Sequence, residues 1–234
     1  MISIIIPTLN EEEYIESVIQ DLKPQLSEED EIIVVDSESD DRTVEIASNH
    51  GAKILKQPRN GKGLAATAGA KIAKNNIVAF IDADSEIPKD FVERIKVHFS
   101  NPDLLVVGGL DLYYSDSSAW KFIYNGYSRL IFAMAKAMHK ITKECWVPSN
   151  NSAFRKDIFL EAGGYRSVIC EDSDLMRRLP RSKYFKHDDN LIVTLSDRRF
   201  KQNGFFRTMI LWSWGNISLI IGSKVGSEDY KKGY

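Results

Sequence analysis

The chain has little of several features that would assign it to a specialised class of protein. Its 234 residues include two cysteines, Cys145 and Cys170, which are too few for a disulfide framework and lack the spacing of a zinc site, so we expect both to be reduced and packed. The net charge is −2, so no basic excess indicates a nucleic-acid partner. What remains is an ordinary composition, with 43% hydrophobic residues, that can bury one substantial core in a single domain.

The sequence also lacks the marks of secretion and of a membrane span. Residues 1–7, MISIIIP, have neither the basic start nor the cleavage site of a signal peptide, and they are typical of a buried strand that ends at Pro7. No segment offers about 20 uninterrupted apolar residues. We therefore expect a cytoplasmic protein, with peripheral attachment to the inner face of the cell membrane as the alternative.

Strands and helices alternate over residues 1–110. Apolar and β-branched runs predict strands at Ile2–Ile6, Ile32–Val35, Ala52–Lys56, Ile77–Ile81 and Leu104–Leu110. The predicted helices between them are one capped by Asn10, one capped by Asp40 or Asp41, one over Leu64–Lys74, and one with Pro88 in its first turn. This alternation predicts an α/β fold with a doubly wound, mostly parallel sheet flanked by helices, whose ligands bind beyond the carboxyl ends of the strands.

The alternation weakens after residue 111. Ser118–Ile141 predicts one long amphipathic helix, with Trp120, Ile123, Tyr127, Ile131 and Met134 on a common face, followed by a loop at Trp146–Phe154 and a helix from Glu171. Residues 205–222 are rich in aromatic and aliphatic side chains. We expect this segment to pack in the core or at a homodimer interface, with contact to a membrane surface as the alternative. The polar last dozen residues are expected to fray.

Four polar clusters fall at the ends of predicted strands or just before a helix. They are Pro7–Glu11, Asp36–Asp40, Asn60–Gly63 and Asp82–Asp84. Each alone is typical of an ordinary turn, and Lys62 alone of a solvated helix start. All four at successive strand ends indicate a binding site instead. Two carboxylates one residue apart can hold a hard divalent cation together with phosphate oxygens, and such a cation stabilises a departing diphosphate.

In order and spacing these motifs resemble the family 2 glycosyltransferases of the GT-A fold, over essentially the whole chain. The matching pieces are Ile4–Glu11, Ile33–Ser37 with Ser39, Asp40 and Thr43, Gly61–Gly63 with Ala66, Phe80–Asp84, and Glu171–Leu175 with Arg178. Phe80–Asp84 resembles the DxD element of the family, and Glu171–Arg178 its ED-x-x-L-x-x-R element. One departure is Glu38, which stands where many relatives have a permissive glycine.

The resemblance implies an inverting transfer of a sugar from a UDP- or GDP-sugar to an acceptor hydroxyl of a glycan or lipid-linked glycan, assisted by Mg²⁺ or Mn²⁺. Residues 1–110 would form the nucleotide-binding half of a catalytic domain at 1–204, residues 111–204 its acceptor half, and 205–234 a C-terminal segment. The donor nucleotide would be bound by Pro7, Thr8, Asn10, Glu11, Asp36, Ser37, Lys62, Gly63, Asp82, Ala83 and Asp84.

The same resemblance implies roles for the remaining candidates. Asp84 and Asp82 would hold the metal, with His187 as a further candidate ligand, and Asp172 would be the general base. Candidates for the sugar and acceptor are Asn150, Asn151 and Glu171; candidates for the diphosphate are Arg178, Arg198 and Arg199. The residues alone leave ordinary alternatives open, namely turns, a helix N-terminus rich in acids, a salt bridge one helical turn back and a solvated basic turn.

Three other functions share parts of this pattern. A polyprenyl-phosphate sugar synthase would suit membrane attachment, but its acceptor phosphate needs no general base, so Asp172 favours a hydroxyl acceptor. A nucleotidyltransferase has a glycine-rich basic loop after its first strand, where this chain has Pro7–Glu11. A degenerate binding module is disfavoured by the joint presence of Asp82, Asp84 and Asp172.

Overall fold

A computed structural model describes residues 1–220, with side chains described up to Trp214. The strands within this range are β1 (Ser3–Thr8), β2 (Glu31–Asp36), β3 (Lys53–Lys56), β4 (Ile77–Ile81), β5 (Ser85–Glu86), β6 (Val106–Tyr114), β7 (Asn151–Arg155) and β8 (Phe185–Ser196). The helices are α1 (Ile15–Leu22), α2 (Thr43–Asn49), α3 (Lys62–Ile72), α4 (Phe91–Phe99), α5 (Ser118–Thr142), α6 (Lys156–Glu161), α7 (Glu171–Arg178), α8 (Arg198–Asn203) and α9 (Phe205–Ile220). The predicted frayed tail and the end of the predicted apolar segment, residues 221–234, lie outside the described residues.

The strands form one sheet in the order β3-β2-β1-β4-β7-β6-β8-β5. β1 lies parallel to β2 and β4, β2 parallel to β3, and β6 parallel to β8. β7 runs antiparallel between β4 and β6, and β5 runs antiparallel to β8. This confirms the predicted α/β fold with a mostly parallel sheet flanked by helices.

Strand β7 corrects the prediction of a loop over Trp146–Phe154. Asn151 pairs with Ile81 of β4, and Ser152 pairs both with Phe80 of β4 and with Gly108 of β6. Polar residues have low strand propensity, which is why the sequence pattern missed this strand. Neighbouring strands on both sides supply the backbone hydrogen bonds that hold β7 in the sheet.

Helices cover both faces of the sheet, which explains the uninterrupted apolar runs of β1 and β2. Ile4, Ile6 and Val34 belong to a core cluster with residues of α1 and α4. Ile5 and Val35 belong to the opposite cluster, with residues of α3, α6 and α7. Because successive side chains of a strand point to opposite faces, a strand buried on both sides must be apolar throughout.

Two predicted helix starts are wrong. Asn10 has a φ of 56°, and α1 begins five residues later at Ile15, because the Asn10 side chain bonds a neighbouring loop instead of capping the helix. Pro88 lies outside α4, which begins at Phe91; the Phe91 N–H donates a turn hydrogen bond to the Pro88 carbonyl at 3.1 Å.

The predicted long helix exists as α5, but the predicted apolar face is largely exposed. Ile123, Ile131 and Met134 are between 42% and 54% exposed, whereas Tyr124 and Phe132 are buried. The segment from residue 205, expected in the core or at a homodimer interface, is partly packed: Phe205 contacts the rings of Tyr124 and Phe200, whereas Phe206 is 72% exposed. Within residues 1–220, no helix combines the length and apolarity that a membrane span requires.

Candidate functional site

The candidate site lies at the edge of the sheet where the parallel strands β1, β2 and β4 end. Thr8 at the end of β1 is paired in register with Asp36 at the end of β2, and the Thr8 hydroxyl lies 3.4 Å from a carboxylate oxygen of Asp36. Asp82, Ala83 and Asp84 follow directly after β4. The carboxyl ends of these strands meet at one edge, so the fold brings the first, second and fourth predicted clusters together.

The loop after β2 holds Asp36 in a fixed orientation. Asp36 is buried, and its two carboxylate oxygens accept hydrogen bonds from the backbone N–H and the hydroxyl of Ser39, at 3.1 and 2.5 Å. Ser37 is buried beside it and donates its N–H to the Thr8 carbonyl at 2.9 Å. Glu38 has a φ of 60°, the left-handed conformation that a glycine adopts at low cost. The loop therefore keeps the turn of a glycine-containing sequence despite Glu38.

Asn10 connects this loop to the end of β1. Its backbone N–H donates to the Ser39 hydroxyl and its side-chain oxygen accepts from the Asp40 N–H, both at 2.9 Å. Glu11 is anchored next to it, because its N–H donates to the hydroxyl of Thr43 at 2.8 Å. Asn10 thus shapes the wall of the site and places the Glu11 carboxylate.

The two aspartates after β4 are each held by a cation. The Lys62 ammonium, at the start of α3, lies 2.5 Å from Asp82, and Nε of Arg198 lies 2.8 Å from Asp84. Burial, and then the charge of Asp82, raise the pKa of Asp84, and the positive charge of Arg198 opposes that shift. Carboxylates packed this closely require a positive partner to remain ionised.

Arg198, a candidate for the diphosphate, binds two carboxylates of the protein. Its two terminal nitrogens donate to Glu11 at 2.8 and 2.6 Å, while its guanidinium lies 4.9 Å from the ring centroid of Tyr14. Together with the contact to Asp84, this engages every nitrogen of the guanidinium with the protein itself. Arg199 is exposed on α8. Its charge also lowers the pKa of Asp84, but by less than the charges of Arg198 and Lys62 do.

Asp172 lies in the first turn of α7, and the positive charge of Lys62 acts on its carboxylate. Burial, and then the neighbouring charge of Glu171, raise the pKa of Asp172 to about 6. Its carboxylate accepts the N–H of Ser173 at 2.7 Å, and the Glu171 carboxylate accepts the hydroxyl of Ser149 at 3.1 Å. A carboxylate with this pKa is ionised at neutral pH and can still accept a proton.

Asp111 is a site residue that the sequence pattern did not single out. Burial raises its pKa to about 7, and the Asn150 side chain donates to one of its oxygens at 3.2 Å. The other oxygen, Oδ1, has no hydrogen-bond partner among the described residues. Burial is also the main cause of the raised pKa values of Asp84 and Asp172, and the charge of Lys62 opposes the shift in all three. The charge of Lys62 thus lowers the pKa of all three carboxyls. The sequence carries one signal for Asp111, which is a single acidic residue within the apolar run of β6.

Three further candidates make close contacts within the protein. The Asn151 side chain is fully buried and donates to the carbonyls of Leu110 and Leu191 at 3.3 and 3.1 Å, which holds β7 in the sheet. The Asn150 amide is likewise buried and occupied with Asp111. A side chain at Gly63 would place its Cβ 2.5 Å from the Arg166 carbonyl oxygen, so close packing of the protein backbone explains this glycine.

Arg178 and His187 are also engaged within the protein. Arg178 donates to Asp174 at 2.6 Å, to the Gly164 carbonyl at 2.7 Å and to the Ala162 carbonyl, which fixes the loop before α7. Nε2 of His187 lies 2.8 Å from the Trp146 carbonyl oxygen. Since a carbonyl only accepts, Nε2 carries the proton, and Nδ1 is the nitrogen that could bind a metal.

The carboxylates of Asp82 and Asp84 determine how a metal could be held. Across residues 1–220, no group of three or more His, Cys, Asp or Glu side chains is arranged to hold a metal ion. Asp82 and Asp84 still fit a hard divalent cation, because they provide two adjacent carboxylates that already require cationic partners. The protein would then supply part of the coordination shell, and oxygens of a ligand or of water the rest.

A doubly wound sheet with paired aspartates at the carboxyl end of a central strand is the arrangement of a GT-A glycosyltransferase. The family model of glycosyl transferase family 2 matches residues 3–163. The chain belongs to that family.

Comparison with individual proteins agrees with this assignment. The chain is 24% identical over 233 residues to the O-antigen chain rhamnosyltransferase RfbN of Salmonella typhimurium, covering 90% of this chain and 74% of that protein. Matches to mycobacterial glycosyltransferases cover less, about half of those relatives' length (47%).

Two solved structures share the fold. S. aureus TarS 1-349 in complex with UDP-GlcNAc matches with a TM-score of 0.64 and 17% identity, over 83% of this chain and 58% of that chain. Mannosyltransferase PcManGT from Pyrobaculum calidifontis in complex with GDP-Man and Mn²⁺ matches with a TM-score of 0.63 and 20% identity, over 82% and 56% of the two chains. At these identities the likeness concerns the fold alone.

Proposed function

We propose that this glycosyltransferase moves a sugar, with inversion, from a UDP- or GDP-sugar to an acceptor hydroxyl of a glycan or lipid-linked glycan. The observation that carries the proposal is that Lys62 pairs with Asp82 at 2.5 Å and that its charge acts on the carboxylates of both Asp84 and Asp172. Residues 1–110 supply the donor side of this cleft and residues 111–204 the acceptor side.

The donor nucleotide binds along the ends of β1 and β2. The fixed carboxylate of Asp36 accepts a hydrogen bond from the N–H of a uracil or guanine base, beside Pro7, Thr8 and Ser37. The UDP and GDP complexes of proteins with the same fold support this choice of base.

The diphosphate lies next to Lys62, Asp82 and Asp84. Mg²⁺ or Mn²⁺ held by the two aspartates would neutralise negative charge on the diphosphate. Lys62 supplies a further positive charge on the same side, at the N-terminus of α3, where the helix dipole also favours an anion. The Mn²⁺ in the PcManGT complex supports a divalent cation here.

The transfer step uses Asp172 as general base. The acceptor hydroxyl oxygen forms a bond to the anomeric carbon, its proton passes to the Asp172 carboxylate, and the bond from the anomeric carbon to the diphosphate oxygen breaks. The nucleoside diphosphate leaves with that electron pair. One displacement from the opposite face inverts the configuration. Glu171, fixed by Ser149, raises the basicity of Asp172 through its charge.

The proposal is tested by incubating the protein with UDP- and GDP-sugars and Mn²⁺ and identifying the released product. Release of a nucleoside diphosphate is expected, whereas release of pyrophosphate would identify a nucleotidyltransferase. Asp172→Asn should retain donor binding and lose turnover. The matched control is Asp157→Asn, which changes an exposed aspartate in the first turn of α6. Normal turnover by Asp172→Asn would remove this residue from the mechanism.

A further inference from the structure

Helix α5 turns two polar side chains, Asn125 and Ser128, towards the protein, and most of its large apolar side chains are exposed on its outer side. The Asn125 side chain faces β6, where its oxygen accepts the Tyr113 N–H at 2.7 Å and its nitrogen donates to the Tyr113 carbonyl at 3.3 Å. The Ser128 hydroxyl donates to the carbonyl of Asp111 on the same strand. A helix that only covers a protein core has the opposite arrangement.

The outer side of α5 continues into that of α9. Phe122, Leu130 and Ile141 on α5 are 81%, 58% and 80% exposed, and Phe206, Ile210 and Trp214 on α9 are 72%, 70% and 58% exposed. We call these six side chains the α5–α9 face. The two helices adjoin at Phe205, whose ring centroid lies 5.3 Å from that of Tyr124. Large apolar patches of this kind mark interaction sites.

The charged residues that the two helices carry have one sign. Residues 118–143 and 205–220 contain six of the 31 Lys and Arg residues of the chain and none of its 33 Asp and Glu residues. Lys136 and Lys201 pair with acids of neighbouring elements. The exposed Lys121, Arg129 and Lys140 form no ion pair with any described residue.

The basic residues of α5 also stand at the edge of its apolar stripe. At 3.6 residues per turn, Arg129 and Lys140 lie roughly 100° around the helix axis from Leu130 and Ile141. Long cationic side chains in this position can reach outward while the apolar side chains between them are buried in a partner.

We propose that the α5–α9 face docks on the surface of an anionic lipid bilayer. The apolar side chains enter the boundary of the hydrocarbon region and the basic side chains contact the headgroups. A second copy of the chain fits less well, because a two-fold interface places the same surface of both copies together and would oppose cations with cations. This docking involves none of the residues that bind the donor, so it stands independently of the proposed reaction.

The test is flotation of the full chain with vesicles in the absence of donor. Wild-type protein should float with vesicles that contain phosphatidylglycerol and remain unbound with pure phosphatidylcholine vesicles. Leu130→Asp/Ile141→Asp and, separately, Arg129→Gln/Lys140→Gln should each lower the partition coefficient at least about tenfold. The control is Val97→Asp, which places one such negative charge on α4, at a residue that is 62% exposed, and this variant should float like wild type.

Two other outcomes overturn the proposal. Failure of the wild-type protein to bind anionic vesicles excludes lipid docking. A wild-type dimer that becomes monomeric in Leu130→Asp/Ile141→Asp, without vesicle binding, identifies the face as a subunit interface. Circular dichroism confirms that each variant is folded. Thermal stabilisation by UDP or GDP with Mn²⁺ is measured on the same samples, so loss of docking and failure of the donor site are distinguished.

Discussion

Arg198 occupies the carboxylates that the proposed metal site requires, and its replacement by glutamine tests that conflict. Arg198→Gln removes the contacts to Glu11 at 2.8 and 2.6 Å and to Asp84 at 2.8 Å. The pairing joins residues 187 positions apart in the chain and therefore ties α8 to the end of β1. Its loss leaves Glu11, Asp82 and Asp84 close together with one cation, Lys62.

The size of the effect follows from the exposure of the three side chains. Arg198 is 34% exposed, Glu11 13% and Asp84 11%. These contacts are therefore stronger than those of a surface ion pair, about 0–1 kcal/mol, and weaker than those of a fully buried one, about 3–5 kcal/mol when one partner is removed. We expect Arg198→Gln to lower the free energy of unfolding without metal by about 2 kcal/mol. The affinity for Mn²⁺, by contrast, should increase. If freeing Asp84 from Arg198 costs about 1 kcal/mol, the variant should bind Mn²⁺ roughly fivefold more tightly.

The assay is titration of the protein with Mn²⁺, followed by the electron paramagnetic resonance signal of the free ion, with unfolding measured in parallel. The matched control is Arg181→Gln, which removes an ion pair outside the site, between Arg181 and Glu144 at 2.6 Å. The control should leave Mn²⁺ affinity unchanged. Weaker Mn²⁺ binding by Arg198→Gln would refute the competition between Arg198 and the metal.

Three further predictions concern the base, the β2 loop and the packing of the sheet. Because the pKa of Asp172 is about 6, the rate of transfer should fall about tenfold per pH unit below pH 6. The raised pKa also favours the protonated carboxyl in the folded state, so this stabilisation is present at low pH and is lost as the pH rises from about 4 to 6. Asp172→Asn should therefore have a higher melting temperature than wild type at pH 8 and not at pH 4. Glu38→Gly should raise the urea midpoint by relieving about 1 kcal/mol of left-handed strain at a φ of 60°, and an unchanged midpoint would show that the loop carries no strain. Gly109→Ala should destabilise the protein by about 1–3 kcal/mol, because its Cβ would lie 2.0 Å from the Leu191 carbonyl oxygen. The control is Gly126→Ala on α5, which has no atom within 4 Å of the added Cβ and should stabilise the protein by up to about 1 kcal/mol. Equal changes in stability for the two variants would contradict the packing argument.

The parallel half of the sheet could be predicted because its signals are local. Ile4 and Ile5 lie in one short apolar run that is buried on both faces, and Asp82 and Asp84 follow such a run directly. Strand order and the meeting of strand ends then follow from general rules of α/β folds. Asp36 and Asp82 were found in this way.

The antiparallel half and several site contacts could not be predicted, because they depend on residues far apart in the chain. β7 is a strand only because β4 and β6 flank it, and its polar residues, Asn151 among them, satisfy buried carbonyls. The partners of Arg198 and the packing of Gly63 against Arg166 likewise require the folded chain. The outward apolar side of α5 was missed because periodicity identifies a helix face without identifying what covers it.

The central claim is that Asp84 supports a metal-dependent nucleotide site, and thermal unfolding with UDP and GDP, each with and without Mn²⁺, tests it most directly. A ligand that binds only the native state raises its stability by mass action. Wild-type protein should be stabilised by at least one nucleotide in a Mn²⁺-dependent way, Asp84→Asn should lose that dependence, and Asp116→Asn, an exposed aspartate paired with Lys201, should retain it. Equal stabilisation of wild type and Asp84→Asn, or no stabilisation of the wild-type protein by either nucleotide, would contradict the account.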